Sequence, residues 1–149
     1  MKVKLEIDPD AAEDELIIKA KNISPEIEQL YKKLQGIEHN DQIECFRNNV
    51  SYYLPLNEIL FFETDAKTVY AHTAKDIYET KYRLYELETL LPAYFMRVSK
   101  STILNCREIY SITKSISASS LVEFKNCHKQ VYVSRNYYKT LKMRLEEMR

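Results

Sequence analysis

Apolar and polar positions alternate from the first residues. Val3, Leu5 and Ile7 interleave with Lys4 and Glu6, a period of two that predicts a strand, and Asp8-Pro9-Asp10 closes it in a turn. The run Glu15-Leu16-Ile17-Ile18-Lys19-Ala20 predicts a second short strand. Ser24-Pro25-Glu26-Ile27-Glu28 then reads as a helix start. A capping serine, a proline in the first turn and two glutamates near the positive end of the helix dipole all favour it. Ile27, Leu30, Tyr31 and Leu34 recur at helical spacing, and Gly36 is the expected terminator. Such a β-β-α piece is too small to stand alone, so it must pack on something. The segment 36–41 is the expected boundary. It separates a small acidic extension, residues 1–40, from a larger domain, residues 41–149.

Beyond the boundary come short strand-like runs at 43–47, 50–54, 59–63, 69–73 and 77–81, separated by polar turns such as Asn48-Asn49. Residues 82–91 switch to helical spacing, with Leu84, Leu87, Leu90 and Leu91 on one face and Pro92 as the stop. Residues 101–104 are expected as a short helix. Segments 109–112, 121–124 and 130–133 read as strands, the last two joined by a turn at Asn126-Cys127-His128. Residues 135–149 close the chain as a helix, with Tyr138, Leu141, Met143 and Leu145 as packing residues. The fold class expected is mainly β (α+β): several small antiparallel sheets with short helices.

Charge changes the picture more than composition does. Over 149 residues, 22 basic and 22 acidic side chains cancel. The cancellation hides a polarity. Residues 1–44 carry 6 basic and 11 acidic side chains, whereas residues 94–149 carry 11 basic and 4 acidic. An acidic flank and a basic working surface suggest a polyanionic partner such as nucleic acid. One glycine in the whole chain, Gly36, excludes the G-x-G-x-x-G and P-loop nucleotide cradles, which need several glycines to approach phosphate. No apolar run is long enough for a membrane span or follows the N-terminal lysines as a signal would, so a cytoplasmic location is expected. Cys45, Cys106 and Cys127 lack C-x-x-C spacing and are expected as free thiols.

No constellation points to catalysis, a metal, a cofactor, a phosphorylation site or a small-molecule ligand. His39, His72 and His128 lack metal-ligand spacing. His72 lies in a strand, where a packing role is expected. Cys127-His128 sits in a turn, and no G-x-S-x-G elbow exists. The basic segments are more informative. Arg97-Val98-Ser99-Lys100-Ser101 mixes cations and hydroxyls in an expected loop, and Ser134-Arg135-Asn136-Tyr137-Tyr138-Lys139 does so at the start of the last helix. Lys67-Thr68 sits in a turn between strands. Arginine reads guanine and asparagine adenine with paired hydrogen bonds, while hydroxyls and a helix N-terminus hold phosphate. Read more plainly, these are solvated loops in which Ser134 or Asn136 caps the final helix.

Three ordered motifs carry a resemblance. Leu54-Pro55-Leu56-Asn57-Glu58-Ile59-Leu60-Phe61-Phe62-Glu63 resembles the opening strand of LytTR-type DNA-binding domains. Tyr94-Phe95-Met96-Arg97-Val98-Ser99-Lys100-Ser101-Thr102-Ile103-Leu104-Asn105 resembles the family's central signature. Val131-Tyr132-Val133-Ser134-Arg135-Asn136-Tyr137-Tyr138 resembles its third, at the final helix. The likeness runs from about residue 45 to 147. It implies a predominantly β domain that binds double-stranded DNA through loops in successive major grooves rather than through a recognition helix. It also implies where the DNA contacts lie. Lys67 and Thr68 form the first place. Ser99 and Lys100 form the second, flanked by Arg97 and Ser101, with Asn105 holding that loop. Arg135 is the third and the first choice for base readout, with Asn136, Tyr138 and Lys139 near the backbone. One departure is Ser99, where many members carry histidine.

Members of the family usually follow a receiver domain. The roughly 44 residues ahead of the likeness are too few for one, so Asp8, Asp10 and Asp14 are not read as phosphoacceptors. The expectation is a stand-alone bacterial LytTR regulator of transcription, without enzymatic activity, whose acidic extension docks on its own DNA-binding domain or pairs two copies on paired half-sites. The competing expectation is a protein-interaction or signal-sensing module that works through the acidic N-terminal segment.

Overall fold

The computed structural model describes residues 1–39 and 42–148, and for residues 35–39 the backbone alone. The chain divides into two compact units, Met1–His39 and Asn40–Arg149.

In the first unit, the expected capping chemistry builds helix α1, Pro25–His39. The Ile27 amide donates to Ser24 Oγ at 3.2 Å, and Glu28 N donates to Ser24 O at 2.9 Å. The helix continues through Gly36, contrary to expectation, because a single interior glycine costs only about 1 kcal/mol relative to alanine. Asn40 and Asp41, the end of the expected boundary, lie outside the described residues. The strands expected at 3–7 and 15–20 do not form; the segment before α1 holds a turn at Asp8–Asp10 but no strand. The physical reason lies in the charges. The hairpin register that best aligns the apolar residues, Val3 with Ala20, Leu5 with Ile18 and Ile7 with Leu16, sets Lys4 against Lys19 and Asp8 against Glu15. Like charges directly opposite destabilise a pairing that is marginal for two strands in water.

The second unit is built on two antiparallel sheets. Strands β1 Gln42–Arg47, β2 Val50–Pro55, β3 Phe61–Asp65, β4 Thr68–His72, β5 Ile77–Thr80, β6 Phe95–Ser99 and β7 Thr102–Asn105 form a seven-stranded sheet in the order β2-β1-β5-β4-β3-β7-β6. Strands β8 Ile109–Thr113, β9 Ser120–Phe124 and β10 Gln130–Val133 form a three-stranded sheet in the order β10-β9-β8. Helix α2, Leu84–Leu90, precedes β6, and helix α3, Arg135–Glu147, follows β10. The expected mainly β class with small antiparallel sheets and short helices is what the chain adopts.

Consecutive apolar residues explain the layering. In β3, β6 and β7 the pairs Phe61-Phe62, Phe95-Met96 and Ile103-Leu104 are all buried, so the large sheet is covered on both faces. Phe62, Phe95 and Ile103 join Leu84 and Leu87 of α2 and Cys45, Leu54 and Val69 in one core. Phe61, Met96, Val98 and Leu104 join Val122, Phe124, Val131 and Val133 of the small sheet and Leu141 of α3 in the other. Each fully buried Phe, Leu or Ile contributes about 1.5–3 kcal/mol. The helix expected at 101–104 is a correction: Thr102–Asn105 is strand β7. A short apolar run with two buried faces has no helical or alternating period to betray it.

Asparagine does turn work in this glycine-poor chain. Asn48 and Asn49, at φ 52° and 63°, form the two-residue turn between paired Arg47 and Val50.

His72 ties the two sheets together. Its ring stacks on Phe61 at 4.2 Å, and Phe61 stacks on Phe124 of the small sheet at 5.5 Å. Lys129 Nζ, from the β9–β10 connection, lies 3.4 Å from His72 Nδ1 and donates to Asp76 O at 3.0 Å. Burial, helped by the Lys129 charge, pushes the imidazole down to about 4. His72 is therefore neutral in the folded chain near neutral pH, while in the unfolded chain it protonates near 6.5. Between those values the unfolded state binds more protons, so this contribution is complete above about 6.5 and is lost as pH falls toward 4. Urea midpoints at pH 7 and pH 4.5 should therefore differ less for His72→Phe than for the parent. An equal pH dependence in both would show that His72 does not carry the effect.

Candidate nucleic-acid interface

The three basic segments sit at neighbouring points of one sheet end because of strand pairing. β3 runs into the Ala66-Lys67 turn, and β7, paired Glu63 with Thr102, starts beside it from the Lys100-Ser101 turn. The Thr64 amide donates to Ser101 O at 2.8 Å, closing the gap between the two turns. On the other side of the β6–β7 hairpin, the Ser134 amide donates to Val98 O at 2.9 Å and fixes the start of α3 against β6. The β3–β4 and β6–β7 turns are thus about 10 Å apart, two strand spacings, with the α3 N-terminus next in the row. Segments separated by more than 60 residues in sequence, from Lys67 to Arg135, meet along one edge.

The β6–β7 tip is held from inside. Arg97 Nε donates to Ser99 O at 2.8 Å, its Nη2 donates to Lys100 O, and its Nη1 pairs with Glu88 of α2. Ser99 Oγ accepts the Ser101 amide at 3.2 Å and lies 3.3 Å from Ser101 Oγ. The carbonyls turn inward, and Lys100 is left exposed at the apex. This corrects the expected loop over 97–101: Arg97 and Ser99 are strand residues at an irregular pairing, and only Lys100-Ser101 turns. Every guanidinium nitrogen of Arg97 is engaged by the protein, so it shapes the tip. Sequence reasoning missed Glu88, nine residues away on another element with no spacing signal.

Asn105 is also reassigned. It is buried at the opposite end of the hairpin, where its Nδ2 donates to Ile59 O at 3.0 Å and its Oδ1 accepts the Arg107 amide at 3.0 Å. It braces the entry to β3, not the 97–101 tip.

At α3, Ser134 occupies the N-cap position but no side chain caps the helix. Its carbonyl accepts Tyr137 N at 3.0 Å and Tyr138 N at 3.2 Å, while its hydroxyl makes no cap bond. The alternative in which Ser134 or Asn136 serves as a side-chain cap is therefore not what the structure shows. The first turn holds no acidic residue, and Arg135 and Asn136 are exposed there with Lys139 a turn later. Cations at the positive end of a helix dipole are unfavourable unless an anion joins them. Tyr138 is partly buried against the second core, with Lys114 Nζ 5.3 Å from its ring centre. Lys67 is exposed in its turn, with Ala66 before it at φ 57° and Thr68 half-buried at the start of β4. Exposed Glu63 and Asp65 flank the same hairpin, so its positive character rests on Lys67. Among the described residues, none of Lys67, Lys100, Arg135 and Lys139 forms an ion pair.

Residues 49–146 match the family model of the LytTr DNA-binding domain. Among solved structures, the LytTr DNA-binding domain of a methyl-accepting/DNA response regulator from Bacillus cereus is similar, with a TM-score of 0.66 and 24% identity over 71% of this chain and 97% of that one. An uncharacterized HTH-type transcriptional regulator of Staphylococcus aureus strain NCTC 8325 is 27% identical over 145 residues, covering 97% of this chain and 98% of the relative. A protein of the same description in strain MRSA252 is 26% identical over the same length. The description names a helix-turn-helix; in this chain five strands separate α2 from α3, so those two helices do not form one.

Proposed function

This chain belongs to the LytTR family of DNA-binding domains, and from that membership we propose that it is a sequence-specific regulator of transcription that reads duplex DNA through turns rather than a recognition helix. The observation that carries the reading is the row of exposed cations, Lys67, Lys100 and Arg135, without an ion pair among the described residues, drawn from three distant segments to one sheet end by the Thr64–Ser101 and Ser134–Val98 hydrogen bonds. Arg135 is the base reader. Lys67 and Lys100 contact bases or phosphates. Thr68, Ser101, Asn136, Tyr138 and Lys139 contact the backbone, and Arg97 and Ser99 hold the tip that presents Lys100. A tip organised before binding lowers the entropic cost of association. The protein acts in the cytoplasm as a homodimer on paired half-sites. No helix among the described residues is long and apolar enough to cross a membrane.

The test is a gel shift of the full chain with upstream genomic fragments at near-physiological salt. A discrete complex that survives random competitor DNA is expected. Its affinity should fall with salt on a log–log slope of about −3 or steeper, since each neutralised phosphate releases counterion. A slope near zero, or complexes that random DNA removes completely, would overturn the reading.

A further inference from the structure

The first unit opens with a segment of strand-like alternation that forms no strand within the chain. Val3, Leu5 and Ile7 are 97%, 84% and 77% exposed, although every second position is apolar. Lys4 Nζ lies 2.8 Å from Glu6 Oε1, so the two intervening charges share a side, as in an extended segment. Three large aliphatic side chains in strand period, all exposed, form a ready template for pairing with another strand.

The order of charges says which strand fits. Turned antiparallel on a second copy of itself about Leu5, the segment pairs Lys2 with Asp8, Val3 with Ile7, Lys4 with Glu6 and Leu5 with Leu5. Every cross-strand pair is then opposite in charge or apolar on apolar. A parallel pairing in register would set Lys4 on Lys4 and Glu6 on Glu6. The intrachain hairpin with residues 15–20 sets Lys4 against Lys19 and Asp8 against Glu15. The segment is complementary to its own two-fold image and mismatched to these alternatives.

We propose that residues 2–8 pair antiparallel with the same residues of a second copy of this chain, making the two-fold seam of a dimer. The proposal rests on the reading of the chain as a homodimeric regulator and supplies its contact. A two-fold seam is isologous, so each copy contributes the same contact in both directions and the assembly closes at two.

Charge exchange in the full-length protein tests it, by sedimentation without DNA. The parent should be dimeric at high protein concentration, on the order of 100 micromolar, since a two-stranded seam alone is marginal in water. Lys4→Glu sets glutamate against the partner's Glu6, and Glu6→Lys sets lysine against the partner's Lys4. Each change should raise the dimer dissociation constant by about tenfold or more, since two attractive pairs become repulsive. An equimolar mixture of the two variants should recover parent-like dimers, because both seam pairs are again opposite in charge. The double variant should do the same alone. The mixture separates the seam from the Lys4–Glu6 contact within one chain, which mixing cannot restore. A monomeric parent, single variants that dimerise like the parent, or a mixture that stays monomeric would each overturn the proposal. A gel shift on a single half-site runs alongside. Half-site binding by a monomeric parent would sink the seam and leave the DNA reading standing, and a dimer that ignores DNA would do the reverse.

Discussion

Replacing Arg135 with alanine should weaken binding to the specific DNA site by about 1–3 kcal/mol, some five- to 150-fold, while changing affinity for random duplex by less than about threefold. Three features combine at this residue, the first of them, exposure, shared with Lys67, Lys100 and Lys139. It is exposed in the first turn of α3 with no ion-pair partner among the described residues. Its backbone is anchored on one side by the Ser134 amide on Val98 O and on the other by the amides of Tyr137 and Tyr138 on Ser134 O. Its guanidinium can offer two parallel donors to guanine, which no lysine can. Arg97 has the same chemistry, but its donors are spent on Glu88 and on the Ser99 and Lys100 carbonyls. Lys139→Ala, at a backbone contact, is the control and should reduce binding to specific and random DNA alike. Binding isotherms for both probes at one salt concentration decide the matter. Equal losses on the two probes for Arg135→Ala would demote it to a phosphate contact.

Much of this was legible in the sequence, and the failures have physical causes. The β1–β2 hairpin was readable because two asparagines with positive φ are one of few ways to make its turn in a chain with one glycine. α1 was readable because Ser24, Pro25 and the first-turn glutamates act locally. β7 was not, since its four residues are buried on both faces and burial is decided by other elements. At 3–7 the period was right and the strand still absent: alternation specifies a strand only when a partner edge exists. The candidate interface divides the same way. By composition Lys100 and Arg97 are two cations of one basic run, and the family resemblance ranks Lys100 as base-proximal with Arg97 at its flank. The fold supplies the physical reason for that ranking: Glu88 and two carbonyls surround Arg97, which shapes the tip, and Lys100 is left presented.

Asn105 gives the sharpest test of that division. The central family signature ends on this residue, and its sequence role was to hold the 97–101 loop. The structure instead puts it across from Phe95, at the far end of the hairpin, 1% exposed. There its amide satisfies the carbonyl of fully buried Ile59, and its oxygen satisfies the Arg107 amide where the chain leaves β7. Leaving a buried group unpaired costs about 1–3 kcal/mol, so Asn105→Ala should lose about 2–4 kcal/mol of stability. That is a large share of the roughly 5–15 kcal/mol holding an ordinary domain together. Aspartate should not rescue: it can accept from Arg107 but has no N–H for the Ile59 carbonyl, and it adds a buried charge. The melting temperature should drop by roughly 10 °C. Below the transition, the folded Asn105→Ala protein should bind its DNA site within about threefold of the parent, because the Lys100 tip keeps its own braces in Arg97, Ser99 and Ser101. If urea titration showed a loss under about 1 kcal/mol while DNA affinity collapsed, Asn105 would be a support of the DNA-binding tip after all, and the division drawn here between brace and tip would fail.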